Sequence, residues 1–183
     1  LEAQETTNRE LQCVMHLANA RVPENDLLGA PDRGEEILGW TRDRALLVQC
    51  AMLLGVADRA LRMTADYTTE RKQFDRPIGS FQAVHTRAAD AFIDVEAMRL
   101  TLQRALHVLT QGEPAAESLA IAKYFAAEGG ASVTYAAQHL HGGIGVDLDY
   151  PLHRYYLWAR QIGIELGSAS RQLAKLGEML AAH

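Results

Sequence analysis

The sequence predicts an all-α protein, namely an antiparallel bundle of four or five helices that a short β-strand precedes. Three observations support this prediction: apolar residues recur every three or four positions after residue 34, short loops separate these stretches, and only one stretch alternates like a strand. With 183 residues, of which 48% are hydrophobic, the chain can bury a substantial core. We expect residues 1–33 to hold the strand and a linker, and residues 34–183 to form the bundle.

The strand candidate spans residues 11–22 and ends before Pro23. Its alternating apolar residues are Leu11, Cys13, Met15 and Leu17. A lone strand leaves its backbone donors and acceptors unpaired, so either a partner sheet is missing from the chain or the segment is an extended arm. Residues 23–34 (PENDLLGAPDRG) have the Pro, Gly, Asn and Asp content of a connecting loop.

Two long helices are predicted next. The first begins between Glu35 and Thr41 and runs to about Lys72, and the second is capped by Ser80 and ends near Gln111. The apolar stripe predicted for the first helix is Leu47, Cys50, Leu54, Ala57, Leu61 and Ala65. The stripe predicted for the second helix is Phe81, Val84, Ala88, Phe92, Val95, Met98, Leu102 and Leu106.

Three shorter helical segments complete the predicted bundle. One runs from about Pro114, as its first helical residue, to about Leu140, and residues 129–130 (GG) are a weak point inside it. Pro151 opens the next. The last spans residues 168–182 and has an apolar stripe at Leu173, Leu176 and Leu180.

Composition excludes several classes of function. The 18 Lys and Arg against 23 Asp and Glu give a net charge of −5, and no basic cluster is present, which argues against nucleic-acid or anionic-membrane binding. The longest apolar stretch is too short to span a membrane. Cys13 and Cys50 are too few for a disulfide framework or a zinc site, so we expect a reducing cytoplasm and no metal. No Glu-x-x-His motif supports a di-iron site.

Two polar segments at helix junctions are candidates for ligand binding. In residues 70–82 (ERKQFDRPIGSFQ), Arg71 can offer a planar fork to a pyrophosphate and Phe74 a flat apolar surface. A solvated, salt-bridged turn is the alternative. In residues 141–145 (HGGIG), glycines permit close approach of the backbone to a ligand, although helix ends also use glycine.

Together and in this order, these segments resemble the C-terminal helical domain of the acyl-CoA dehydrogenases, flavoenzymes that oxidise the Cα–Cβ bond of an acyl-CoA thioester. The blocks that carry the resemblance are ARVPENDLLG at 20–29, YTTERKQF at 67–74, PI at 77–78, FQ at 81–82, AK at 122–123, GGIG at 142–145 and YPLHR at 150–154. The resemblance implies that residues 1–33 are a remnant of the family's middle β-domain with a linker.

The resemblance also implies an FAD cofactor and the residues that contact it. They are Arg71, Phe74, Gln82, His139, Gly142, Gly143 and Ser168. In the family such contacts reach the flavin of a neighbouring protomer, so a homo- or hetero-oligomer, with a dimer of dimers as its form, is implied. An acyl-CoA substrate and an electron-transfer flavoprotein or similar acceptor are implied as well. His139 stands where the family commonly has Gln, and Asp75 stands where it commonly has Gly.

The positions of the family's catalytic base hold no acid. Leu166 stands where the family has its Glu before Gly-Thr, and Ala45 stands at the alternative position in the first helix. Asp43 and Glu165 lie close by, but a shift of one helical residue turns a side chain by about 100°. The tail of the chain resembles the non-catalytic type of subunit in actinobacterial heteromeric dehydrogenases that act on steroid side chains.

Three hypotheses follow. The first is a dehydrogenase subunit that contributes FAD contacts and an oligomer interface, while the base lies on a partner chain and this chain alone is inactive. The second is a structural helical module without flavin contact. The third is a self-sufficient dehydrogenase that uses Asp43 or Glu165 as its base.

Overall fold

The computed structural model describes residues 1–182, in which the chain forms five α-helices and two small antiparallel β-hairpins. The elements are β1 Glu2–Glu5, β2 Leu11–Val14, α1 Gly34–Glu70, β3 Lys72–Gln73, β4 Arg76–Pro77, α2 Gln82–Thr110, α3 Ala116–His141, α4 Leu152–Ile164 and α5 Ala169–Ala181. Short 3₁₀ helices lie at Glu24–Asp26, Ile78–Ser80 and Gly142–Val146. The predicted all-α bundle is confirmed. His183 lies outside the described residues.

The predicted helix ends are right to within a few residues, but two predicted starts are wrong. Ser80 lies in a 3₁₀ turn, where its hydroxyl donates to the Pro77 carbonyl at 2.7 Å, and Phe81 is the residue that precedes α2. Pro114 lies outside α3, which starts at Ala116. At Ser80 the 3₁₀ turn takes up the residue that the sequence pattern assigns to the helix cap, and the linker before α3 includes Pro114 and the residue that follows it.

The central helix is α3, which packs against α1, α2, α4 and α5. Its two adjacent glycines are contact points rather than the predicted weak point. A Cβ on Gly129 would lie 2.7 Å from Met98 Sδ, and a Cβ on Gly130 would lie 3.0 Å from Leu53 Cδ2. α3 continues through both glycines without a break. Met98 and Leu53 on the neighbouring helices occupy the space that side chains at these two positions would need.

The core lies on helix faces that differ from the predicted stripes. On α1 the buried residues are Leu46, Cys50, Leu53, Val56, Ala57, Ala60, Met63, Thr64 and Thr68, so the stripe is centred about one residue earlier than expected and Ala65 is exposed. On α2, Val95 and Met98 are buried as predicted, but Phe92 and Leu106 are exposed. On α5, Leu173 and Leu180 are exposed and Leu176 is half-buried. Across residues 1–182 the helices are too short or too polar to cross a membrane.

The N-terminal segment forms a hairpin, so the prediction of a single long strand is wrong. β1 pairs with β2 from Glu2 opposite Val14 to Glu5 opposite Leu11, and β2 ends at Val14 rather than at residue 22. The apolar side chains of Leu11 and Met15 point away from the bundle and are exposed. The sequence analysis missed β1 because Glu2–Glu5 is acidic and carries no apolar alternation.

Candidate functional site

The turn that follows α1 is a tight hairpin whose tip is Phe74-Asp75. Lys72 pairs with Pro77 and Gln73 with Arg76, which leaves a two-residue loop. Both loop residues are left-handed, with φ of 53° at Phe74 and 63° at Asp75. This is the backbone of a type I′ turn, which glycine and asparagine favour. A glycine at position 75, common in the family that the sequence resembles, would adopt this conformation without strain, and Asp tolerates it better than most residues.

The hairpin holds an aromatic ring out in solvent. Phe74 is 86% exposed, although a bulky residue at positive φ is unfavourable. Its ring meets the Phe81 ring edge to face at 6.2 Å, and the Arg76 guanidinium lies 4.1 Å above the centre of the Phe81 ring. Such strain persists only where the surrounding structure holds it, and it is common at ligand sites. The turn therefore presents a flat ring beside exposed cations.

The glycine segment lies at the same end of the bundle as this hairpin. His141 ends α3, and Gly142 follows with φ of 66°, a conformation that requires glycine. A Cβ on Gly142 or Gly143 would meet no atom within 4 Å, so the backbone is open here. Tyr67 stacks on His141 with ring centres 4.3 Å apart, and Arg71 follows one turn later, with its amide bonded to the Tyr67 carbonyl at 2.9 Å.

Gln82 and His139 also lie at this end. The Ile78 amide donates to the Arg71 carbonyl at 2.8 Å, which fixes the chain that leads into Gln82 at the start of α2. His139 is exposed on the last turn of α3, and the Gly142 amide bonds to its carbonyl. Six of the seven predicted cofactor-binding residues therefore lie at one end of the bundle: Arg71, Phe74, Gln82, His139, Gly142 and Gly143.

Ser168 lies elsewhere. It precedes α5 and lines a cavity of about 200 Å³ together with Ala127 and Ala159. Ala127 lies 14 residues before His141 on α3, which corresponds to about 21 Å of helix. A ligand at the Arg71 hairpin and a ligand at Ser168 would therefore occupy different places on this chain.

Leu166, one of the two positions that the resemblance aligns with the family's catalytic base, lines a cavity. This cavity of about 290 Å³ is lined by Arg42, Leu46, Leu166, Arg171, Gln172, Lys175 and Glu178. Leu166 is left-handed, with φ of 53°, and the Gln172 amide holds its carbonyl at 3.2 Å. Burial and the charge of Arg42 lower the pKa of Lys175. Ala45 is half-buried next to Leu46. Neither Leu166 nor Ala45 can accept a proton.

The two nearby acids are engaged by other groups. The Glu165 carboxylate accepts hydrogen bonds from Gln12 at 3.0 Å, Gln49 at 3.0 Å and Gln161 at 2.9 Å. These glutamines come from β2, α1 and α4, so Glu165 joins three elements. Asp43 faces the guanidinium of its neighbour Arg42, with 3.6 Å between Oδ1 and Nε. The sequence analysis missed the glutamine cluster because its members are up to 153 residues apart.

A fully buried lysine lies in the same region. Lys123 on α3 donates to the Ile162 carbonyl at 2.5 Å, and burial lowers the pKa of its ammonium. The charge of Glu165 acts in the opposite direction. Burial in turn raises the pKa of the Cys50 thiol to about 11. The Ala-Lys pair at 122–123 was noted in the sequence. The hydrogen bond of Lys123 could not be predicted from it, because the acceptor carbonyl lies 39 residues away.

Comparison with known proteins identifies the relatives of this chain. The family model "Acyl-CoA dehydrogenase, C-terminal domain" matches residues 33–181. Acyl-CoA dehydrogenase FadE27 of Mycobacterium tuberculosis is 44% identical over 156 residues, which are 81% of this chain and 42% of that protein. The chain spans less than half the length of the curated relatives it matches.

Solved structures agree with this result. A chain of the ChsE4-ChsE5 complex from Mycobacterium tuberculosis superposes with a TM-score of 0.89 at 42% identity, over 99% of this chain and 48% of that chain. A chain of the Tcur3481-Tcur3483 steroid ACAD superposes with a TM-score of 0.88 at 44% identity, over the same shares of the two chains. This chain belongs to the acyl-CoA dehydrogenase family, and its helices form the family's C-terminal domain.

Proposed function

We propose that the chain is part of an FAD-dependent acyl-CoA dehydrogenase subunit which contributes FAD contacts at a subunit interface and takes its catalytic base from a partner chain. One observation carries the proposal. Arg71, the β3–β4 hairpin and the open Gly142–Gly143 backbone lie at the same end of the bundle. In contrast, Leu166 and Ala45 occupy the positions proposed for the base. The chain keeps residues suited to a cofactor and has lost those suited to proton abstraction.

The chemistry of the hairpin end fits the parts of FAD. Arg71 is exposed and can form two parallel hydrogen bonds to a pyrophosphate. The exposed Phe74 ring can cover a flat apolar ring, and Gln82 and His139 add polar groups on the same surface. The open backbone at Gly142 and Gly143 permits close approach. When bound, FAD would supply the acceptor for the hydride that leaves the substrate.

We propose an acyl-CoA substrate, which loses its α-proton to a carboxylate on the partner chain. Similarity to the ChsE4-ChsE5 complex and to the Tcur3481-Tcur3483 steroid ACAD favours a hetero-oligomer and a steroid-derived acyl group. A dimer of dimers is our proposal for the form of this oligomer. An electron-transfer flavoprotein or similar acceptor completes the reaction. The free thiols of Cys13 and Cys50 suit a cytoplasmic location.

The division of the chain is part of the same proposal. Residues 1–33 are proposed to end a middle β-domain, and residues 34–183 to form the helical domain. In β2, Leu11 is exposed and its neighbour Gln12 contacts Glu165, which is what a strand of a larger sheet beside the bundle would present.

The test is flavin content in the complete protein. The full-length gene product is purified together with the product of the adjacent gene, and the absorbance spectrum of the complex is recorded. We expect a yellow complex, and we expect Arg71→Ala to lower its FAD content several-fold. The matched control is Arg104→Ala, because Arg104 is exposed on α2, 22 residues after Gln82 and away from the predicted FAD contacts. Colourless protein from both the single chain and the pair would contradict the proposal.

A self-sufficient dehydrogenase with Glu165 or Asp43 as base is the second candidate. The three glutamine amides around Glu165 and the guanidinium beside Asp43 argue against it, because a base must reach its proton at about 3 Å. This candidate requires that the single chain dehydrogenates acyl-CoA and that Glu165→Gln or Asp43→Asn abolishes the activity. A purely structural module is the third candidate, and it requires unchanged FAD content in Arg71→Ala.

A further inference from the structure

Three motifs that lie far apart in the sequence meet in one aromatic cluster, formed by Tyr67, His141 and Tyr150. Tyr67 lies on the last turn of α1, His141 is the last residue of α3, and Tyr150 precedes α4. The rings of Tyr67 and His141 are stacked at 4.3 Å with 17° between their planes. The rings of His141 and Tyr150 are 5.4 Å apart and tilted by 45°. His141 is only 4% exposed between them.

The hydrogen bonds of His141 define its protonation state. Nδ1 lies 2.8 Å from the Ala137 carbonyl, which can only accept, so Nδ1 carries a proton. In the neutral ring Nε2 is then an acceptor, and it receives the Tyr150 hydroxyl at 3.2 Å. Burial lowers the pKa of the imidazole, which keeps the ring neutral at pH 7. The titratable and charged groups around the cluster are Tyr67 itself, the α1 residues Arg59, Asp66 and Glu70, and His153 on α4, whose Nδ1 lies 2.8 Å from the Tyr150 carbonyl oxygen.

The cluster also fixes the peptide unit that begins the glycine segment. The Tyr67 hydroxyl donates to the His141 carbonyl at 3.4 Å, and this carbonyl belongs to the bond between His141 and Gly142. On the α1 side, Tyr67 accepts through its own carbonyl from the Arg71 amide at 2.9 Å. One stacked pair therefore connects the backbone of Arg71 to the backbone of Gly142.

We propose that His141, held between Tyr67 and Tyr150, is a positioning residue that sets the Gly142–Gly143 backbone in register with the Arg71 hairpin. The inference rests on the proposed function, because these two segments are the proposed FAD contacts. It adds that FAD affinity depends on an uncharged His141, since a protonated ring would place a charge in the buried contact between α1 and α3.

The test uses the full-length protein in its assembled complex, from which FAD is removed and then titrated back. Tyr150→Phe deletes one hydroxyl, and His141→Phe keeps a flat ring against Tyr67 but deletes both ring nitrogens. We expect each to raise the Kd for FAD about 2- to 10-fold, the range that one buried hydrogen bond accounts for. The matched control is Tyr124→Phe, which removes a hydroxyl 17 residues earlier on α3 and is expected to leave the Kd unchanged.

The pH dependence tests whether FAD affinity follows the protonation of His141. Between pH 7.5 and pH 5.5 we expect the Kd of the wild-type complex to rise more steeply than that of His141→Phe, because only the wild type has this ring to protonate. Equal Kd values and equal pH slopes in the wild type and both variants would overturn the inference. If Arg71→Ala weakens FAD binding in the same assay, the proposed function still stands. If Arg71→Ala also leaves the Kd for FAD unchanged, the proposed function itself is contradicted.

Discussion

The Lys123 ammonium donates a hydrogen bond to the Ile162 carbonyl at 2.5 Å, and this contact joins the N-terminal half of α3 to the last turn of α4. The final carbonyls of a helix have no partner within the helix, and a cation beside them is favourable because of the helix dipole. Lys123 is fully buried, so the bond must offset the cost of desolvating the charge. The contact holds the turn that leads from α4 through Glu165 to Ser168.

Replacing Lys123 by Met is expected to destabilise the protein by about 2–3 kcal/mol, because it leaves the Ile162 carbonyl without a donor in the interior. Urea unfolding measures the loss. Lys72→Met is the matched control, since Lys72 is exposed on the β3 hairpin and its removal should change stability by no more than about 0.5 kcal/mol. Similar losses in both variants would contradict the role given to Lys123.

Replacing each of two glycines inside long helices by alanine is expected to change the free energy of unfolding in opposite directions. Gly129→Ala should lower the free energy of unfolding by about 1–2 kcal/mol, because its Cβ would lie 2.7 Å from Met98 Sδ, an overpacked contact. Gly55→Ala should raise it by about 0.5–1 kcal/mol, because the site is open and alanine favours the helix. Thermal unfolding of both variants checks the pair, and a stabilising Gly129→Ala would refute the packing argument.

Two substitutions at the tip of the β3–β4 hairpin are expected to change FAD binding and backbone strain independently. Phe74→Ala should reduce the FAD content of the assembled complex, since it removes the exposed ring. Asp75→Gly should leave FAD content unchanged and raise stability by about 0.5–1 kcal/mol, because glycine adopts φ of 63° without strain. Flavin absorbance per protein and the melting temperature are the two measurements. Loss of FAD in Asp75→Gly but not in Phe74→Ala would contradict the assignment of FAD binding to the Phe74 ring.

Protonation of His141 is expected to weaken the fold below pH 6.5. The pKa of this ring is lowered by burial in the folded state, so the unfolded chain binds the extra proton more readily. The contribution is present above the unfolded pKa of about 6.5 and is lost as the pH falls from there through the folded value. Urea midpoints at pH 7.5 and pH 5.0 should therefore differ more in the wild type than in His141→Phe. An identical difference in both would exclude His141 as the titrating group.

The two cysteines should react at very different rates. Cys13 is exposed on β2, whereas Cys50 is buried and burial raises its pKa to about 11. Because the thiolate is the reactive form, iodoacetamide at pH 8 should label Cys13 in the native protein and spare Cys50. Peptide mass spectrometry measures each site, and labelling in denaturant, where both should react, is the control. Rapid native labelling of Cys50 would contradict the packing of α1 against α3.

The sequence predicted the helices well because helical periodicity is a local property. It placed the end of α1 within two residues and the start of α4 within one. It was less accurate about which face each helix buries: Phe92 and Leu173 fit their apolar stripes but are exposed. Burial depends on which neighbour a face meets. For α3, four helices surround the chain, so faces with small residues such as Gly129 and Gly130 are buried too.

Six of the seven residues predicted to bind the cofactor could be proposed as one group because they lie in two short segments at helix ends. At Gly142 the residue type already indicates an unusual backbone, whereas the left-handed conformation of Phe74 is visible only in the structure. Ser168 was grouped with them by resemblance alone. The structure separates it because it lies beside Ala127, near the middle of α3 rather than at the His141 end.

By itself, the sequence determined the all-α class, the approximate helix limits, the absence of acids at positions 45 and 166, and the motifs of the candidate FAD site. Only the tertiary structure decided which groups meet: Tyr67 with His141, Lys123 with Ile162, and Glu165 with Gln12, Gln49 and Gln161. The physical reason is the range of the interactions. Helix formation depends on neighbours three or four residues away, whereas these contacts form only after helices distant in the chain have packed together.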